Sequence, residues 1–163
     1  MRRLPWLLLP AGILALDLGS KAWILSLLAE GESKPVIKGF FYLTLTFNRG
    51  AIFGSLTWLP DLGRAILFGL AGLAALFYFG RLFLAEETST WERVSLGFIL
   101  GGALGNGIDR ILRHAVVDFL DFVFGTWHYW TFNLADSFIL VGVILYLLRM
   151  VLAPKTEPQI KEN

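Results

Sequence analysis

The feature that most constrains this chain is the length of its apolar runs. Four blocks, at roughly 4–28, 62–84, 92–113 and 134–152, are each close to the ~20 residues an α-helix needs to cross a bilayer. In hydrocarbon every backbone N–H and C=O must be satisfied within the chain, so runs of this length become helices. Composition agrees: 56% of the 163 residues are hydrophobic and only 17% are charged, too apolar for a soluble domain. A net charge of +1 gives no basic surplus for nucleic acid. The absence of cysteine removes disulfides, thiolate nucleophiles and thiolate metal sites. Arg2 and Arg3 precede the first run as in a signal peptide, but the run is too long for a cleaved segment and reads as a retained first transmembrane helix.

Between the first two blocks, 29–61 is more than a linker. Phe41, Leu43, Leu45 and Phe47 alternate with Tyr42, Thr44, Thr46 and Asn48, the period of two of a half-buried strand. Asn48-Arg49-Gly50 supplies turn residues, and Ala51 to Trp58 reads as a returning strand, so a small sheet at the membrane surface is expected. Four spans put both termini on one side, and the 29–61 and 114–133 segments together on the other. Asn48 and Gly50 then share a face with Asp118 and Asp136. Arg2, Arg3, Arg81, Arg93, Arg149, Lys155 and Lys161 fall with the termini; Lys34, Lys38, Arg49, Arg64, Arg110 and Arg113 fall opposite. Discounting Arg49 and Arg110, which sit within polar motifs, favours cytoplasmic termini. The tail from Pro154 to Asn163 is polar and is expected to be disordered.

Ionisable residues deep in apolar segments are costly and mark functional sites. Asp118, flanked by Ala115-Val116-Val117 and Phe119-Leu120, has apolar surroundings; Asp136, three residues after Asn133, fits the first turn of the last helix with Asn133 as its N-cap. Two carboxyls in such unlike settings, if close, share one proton, and the pair can activate water without metal or cofactor. Asn106 and Asp109 are three apart on one face of helix 3, while Arg110 points elsewhere and suits a backbone carbonyl or a lipid oxygen. Gly97, Gly101 and Gly105 recur every four residues, with Gly102 adjacent, a spacing that lets helices approach closely. Asp17 and Lys21 stand one turn apart in helix 1 in the favourable order for an ion pair. His128, among Trp127, Tyr129 and Trp130, belongs to an interfacial aromatic belt. With two histidines and no HExxH, a zinc peptidase finds no support, and adjacent Ser20 and Lys21 diverge on a helix too far for a Ser–Lys dyad.

These motifs together resemble the bacterial lipoprotein signal peptidases, or type II signal peptidases. The matching residues are Asp17-x-x-x-Lys21, Asn48-Arg49-Gly50-Ala51-Ile52-Phe53, Gly105-Asn106-Gly107-Ile108-Asp109-Arg110, Val116-Val117-Asp118-Phe119 and Phe132-Asn133-Leu134-Ala135-Asp136-Ser137. Each motif is weak alone, but the five in order are specific and span nearly the whole chain. Ile52, where many members have alanine, is a small departure. The resemblance implies four transmembrane helices with a small extracytoplasmic β-sheet between helices 1 and 2, in one peptidase domain over 1–153 followed by the 154–163 tail. It implies an aspartic endopeptidase of the bacterial inner membrane, with cytoplasmic termini and an active site near the outer leaflet. Its substrate would be a diacylglyceryl-modified prolipoprotein in contact with membrane lipid, cut N-terminal to the lipidated cysteine, and globomycin-type peptides would inhibit it. Asp118 and Asp136 match the catalytic positions. Asn48, Gly50, Asn106, Asp109, Arg110, Asn133 and Ala135 match positions that shape the site or hold substrate, and Asp17 and Lys21 match positions important for structure or activity. No cofactor, metal or nucleic acid is expected, and a monomer suffices. Against this stand a proton-coupled carrier, which would spread its carboxylates across the bilayer's depth, and a non-catalytic scaffold whose polar clusters only join helices.

Overall fold

The structure is a computed structural model that describes residues 4–50 and 60–152. Four helices carry the fold: α1 (Leu8–Leu27), entered through a short 3-10 turn at Leu4–Leu7, α2 (Asp61–Leu84), α3 (Thr90–Arg113) and α4 (Leu134–Leu152). Among the described residues three segments are long and apolar enough to cross a membrane: Leu4–Leu27, Ile66–Leu84 and Leu134–Leu152. Helix α3 falls short on composition rather than length. Its 24 residues reach about 36 Å at 1.5 Å per residue, but it carries the polar groups that the bundle buries, including Ser95, Asn106 and Asp109.

Helix α3 sits at the centre, and its glycines are the reason. A Cβ on Gly97 would meet Leu9, one on Gly101 would meet Ile13, and one on Gly105 would collide with the Asp17 carboxylate, all on α1. On another face, a Cβ on Gly102 would run into the Ala135 carbonyl of α4. The small-residue stripe therefore does the packing that its spacing implied. The helix begins in a capping box, in which Ser89 Oγ accepts from Glu92 N–H while Glu92 Oε2 accepts from Ser89 N–H at 2.9 Å. It ends at His114, in the left-handed region at φ 57°, with Arg110 and Arg113 in the last turn, where cations favour the helix dipole.

The sheet is antiparallel with strands in the order β1 (Ser33–Ile37), β2 (Phe41–Asn48), β3 (Val116–Phe124) and β4 (Trp127–His128). The alternating stretch at 41–48 is a strand, as expected. Placing the whole sheet between helices 1 and 2 requires correction: half of it, including the strand bearing Asp118, comes from between α3 and α4. β3 escaped notice because both its faces are covered, leaving Val116-Val117-Asp118-Phe119 without a clean alternation. The strand expected at Ala51–Trp58, the Ile52 departure and the 154–163 tail lie outside the described residues. One hydrophobic cluster joins sheet to bundle, with Leu45, Val117 and Phe119 packed on Ile24 and Leu28 at the end of α1.

Candidate active site

Asp118 reaches its position through strand register. Leu43 pairs with Leu120 but Thr46 pairs with Asp118 and Asn48 with Val116, so β2 carries one extra residue between them. Without that bulge Leu45 would oppose Asp118 and Asn48 would fall on the other face, because strand side chains alternate. The bulge thus brings Asn48 Nδ2 to 3.1 Å from Asp118 Oδ2. Gly50 completes the arrangement. At φ 92° its N–H donates to Asn48 Oδ1 at 3.0 Å, and a Cβ there would press on the Phe68 ring.

Asp136 is placed by the start of α4. Asn133 Oδ1 accepts from Asp136 N–H at 2.9 Å, the N-cap expected for this motif, and Asp136 Oδ2 also accepts from Asn133 N–H at 3.3 Å, which makes the cap reciprocal. The Asn133 side chain is fully buried, and its Nδ2 donates to Asp118 Oδ1 at 2.7 Å. One asparagine therefore holds both acids, one through its amide and the other through its backbone and cap.

Behind the acids lies a buried charge network joining α1, α3 and α4. Lys21 Nζ lies 2.8 Å from Asp17 Oδ2, 2.9 Å from Asp109 Oδ2 and 3.0 Å from Asn106 Oδ1, so three oxygens surround an ammonium with three hydrogens. The expected Asp17–Lys21 pair is present. Asp17 Oδ1 also accepts from Ala135 N–H at 2.9 Å, which satisfies one of the free donors in the first turn of α4. Asp109 accepts from Val117 N–H at 3.2 Å and from Arg113 Nη1 at 2.7 Å. Its guanidinium partner is thus Arg113 rather than a neighbour in the motif, a spacing of four that the sequence already offered. Asn106 links network to site, with Nδ2 donating to Asp136 Oδ1 at 2.7 Å.

Arg110 points away from this network, and its guanidinium lies 5.6 Å from the Phe68 ring centroid. It lines a cavity of about 600 Å³ with Asn48, Gly50, Phe68 and Arg113. Ala135 is fully buried and contributes backbone to the site. Every residue anticipated for the site is thus at this end of the molecule. Among the described residues no group of three or more His, Asp or Glu side chains is placed to hold a metal ion.

Electrostatics single out Asp118. Burial, then the nearby Asp136, pushes the Asp118 carboxyl up to about 7, against the pull of the Asn48 and Asn133 amides and of Lys21. A carboxyl that keeps its proton near neutrality beside a second acid can donate to one atom while its neighbour accepts from another.

Comparison with known proteins gives this geometry a family. Residues 9–152 match the family model of signal peptidase (SPase) II. The lipoprotein signal peptidase of Serratia proteamaculans is 42% identical over 156 residues, covering 93% of this chain and 89% of that protein. The lipoprotein signal peptidase of Neisseria meningitidis is 40% identical over 156 residues, covering 94% and 92%. Two bacterial membrane enzyme structures obtained by the in meso method share the fold. One, at 2.3 Å resolution, has a TM-score of 0.81 and 27% identity over 98% of this chain and 94% of that one. The other, at 1.9 Å, has a TM-score of 0.80 and 30% identity over 92% of this chain and 94% of that one. A buried acid network at the end of a bundle of apolar helices, with family and relatives matched along nearly the whole chain, has one conclusion: this is a bacterial membrane protease belonging to the signal peptidase II family.

Proposed function

We propose that the protein is an aspartic endopeptidase that removes the signal peptide from diacylglyceryl-modified prolipoproteins, cutting N-terminal to the lipidated cysteine. The observation that carries this reading is the Asn133 bridge, in which a buried asparagine ties buried Asp118 to the cap of half-buried Asp136. A carboxylate of the pair takes a proton from water as its oxygen bonds to the scissile carbonyl carbon, while the protonated partner gives its proton to the carbonyl oxygen. The resulting gem-diol collapses with cleavage of C–N and return of a proton to the leaving nitrogen. No metal or cofactor takes part.

In this reading α3 is the fourth span, its polar residues turned to the bundle, and 1–153 is one peptidase domain with a polar tail at 154–163. The termini are cytoplasmic and the sheet lies outside the inner membrane, with the site near the outer leaflet. A substrate anchored by its own lipid then meets the site without leaving the bilayer, and the Arg110 cavity beside Asn48 takes part of it. A monomer is sufficient, and globomycin-type peptides compete for the site. The test is cleavage of a diacylglyceryl-modified precursor by purified Asp118→Asn and Asp136→Asn. Both are expected to fold and to lose roughly 10³-fold or more in activity, on the scale of general acid–base catalysis. Retained cleavage in either variant removes that residue from the dyad, and failure of both to fold favours a structural role.

A further inference from the structure

The two acids of this dyad are held by amides whose orientation is fixed by groups that can only donate. An ammonium has no acceptor, so Lys21 Nζ, 3.0 Å away, sets the Asn106 amide with its oxygen inward and its N–H₂ on Asp136 Oδ1. The Gly50 N–H likewise fixes Asn48, and the Asp136 N–H fixes Asn133, so that both present N–H₂ to Asp118. Both acids therefore accept amide hydrogens, and they differ in what stands behind those amides.

Behind the amide on Asp136 is the Lys21 ammonium, itself held between the Asp17 and Asp109 carboxylates. Ammonium, amide and carboxylate form a chain in which each donor polarises the next, and the N-terminus of α4 adds its own positive end. The amides on Asp118 have only backbone N–H groups on their oxygens, and Lys21 reaches Asp118 through space rather than through a hydrogen-bonded amide. Asn48 is 3.1 Å away, and Asn133 Nδ2 is divided among Asp118 Oδ1, Asn106 Oδ1 and the Val117 carbonyl. Asp118 is also 2% exposed, between buried Val117 and Phe119.

We propose that Lys21, acting through Asn106, is the positioning residue that makes Asp136 the base and leaves the shared proton on Asp118. The assignment deepens the dyad reading and rests on it. Water loses a proton to Asp136 as its oxygen bonds to the scissile carbon, and Asp118 passes its own proton to the carbonyl oxygen. On collapse Asp136 returns a proton to the departing nitrogen, C–N breaks, and Asp118 recovers one from the diol hydroxyl as C=O re-forms. The charged groups around the pair are Lys21 and Asp17 on α1, Asp109, Arg110 and Arg113 on α3, and Arg49 after β2. Asp121 and His128 belong to the far face of the sheet, and His114 caps α3.

The test is the pH profile of kcat/KM for the purified full-length chain acting on a synthetic diacylglyceryl-cysteine lipopeptide, with His114 and His128 present throughout. Asn106→Asp keeps the acceptor that Lys21 needs but withdraws the donor from Asp136. It should move the acid limb up by about one pH unit or more and leave the alkaline limb in place. Asn48→Asp withdraws the donor from Asp118 and should move the alkaline limb up instead. Lys21→Gln, which preserves a donor to Asn106 without its charge, should move the acid limb in the same direction as Asn106→Asp by a smaller amount. The reverse pattern of limbs places the proton on Asp136 and overturns the assignment. A Lys21→Gln profile lowered equally at every pH makes Lys21 merely structural. Asn48 is half-buried at a strand end, so its variant decides the proton's location even where Asn106→Asp does not fold. Failure of the dyad itself is read separately, as cleavage surviving in Asp118→Asn or Asp136→Asn.

Discussion

Asp118 and Asp121 lie three residues apart on the same strand, 2% and 7% exposed, yet they lead different lives. Asp118 faces α4 and the amides of Asn48 and Asn133, with a second acid nearby. Asp121 faces the other side, where Thr44 Oγ1 donates to it at 2.8 Å and His128 Nδ1 lies 3.5 Å away. The Thr44 hydroxyl also meets Ser33 Oγ at 2.8 Å, so this cluster staples β1, β2 and β3 together. Burial alone, nearly equal in the two, therefore does not distinguish the acid proposed for catalysis. What matters is a second carboxyl within electrostatic range, and amide donors that leave one lone pair of each oxygen open.

Activity gives the largest test of that contrast. Asp118→Asn should lose roughly 10³-fold or more in kcat/KM, whereas Asp121→Asn should stay within about tenfold, an allowance for small shifts of β3 transmitted to the site. Equal damage from both would collapse the distinction, since it would mean that any disturbance of β3 disables the site.

A thermal unfolding series in detergent between pH 5 and pH 8 sharpens it next. The folded-state pKa of Asp118 lies above the ordinary 3.8, at about 7. The folded state is thus favoured below about 4 and loses that advantage as pH rises through about 7, a change on the order of 4 kcal/mol. Asp118→Asn removes the titrating group, so it should gain stability relative to wild type as pH rises across the series. A constant difference between the two at all pH values would show that burial does not set the Asp118 proton.

Thr44→Val gives the smallest effect. Losing a hydrogen bond to a buried carboxylate should cost about 1.5–3 kcal/mol in unfolding free energy with cleavage of the lipidated precursor essentially unchanged. A loss of cleavage as large as that of Asp118→Asn would join the two faces into one functional unit.

Much of this was legible in the chain because it depends on local spacing. The Asp17–Lys21 pair, the Asn133–Asp136 cap, the glycine stripe of α3 and the alternation of β2 all arise within a few residues. The rest depended on partners far apart in sequence. Nothing near Thr44 announces the bulge that aims Asn48, because a bulge is defined by the opposing strand. β3 was hidden by being covered on both faces. Lys21 showed one partner locally, while the other two, Asn106 and Asp109, come from a helix some eighty residues later.

The bond from Ala135 N–H to Asp17 joins residues 118 positions apart, so α1 holds the first turn of α4. The residues between them must be synthesised before that contact can form. In the dyad reading, a chain that has not yet added α4 lacks both Asp136 and the turn that Asp17 seats, so cutting must wait until α1 and α4 meet.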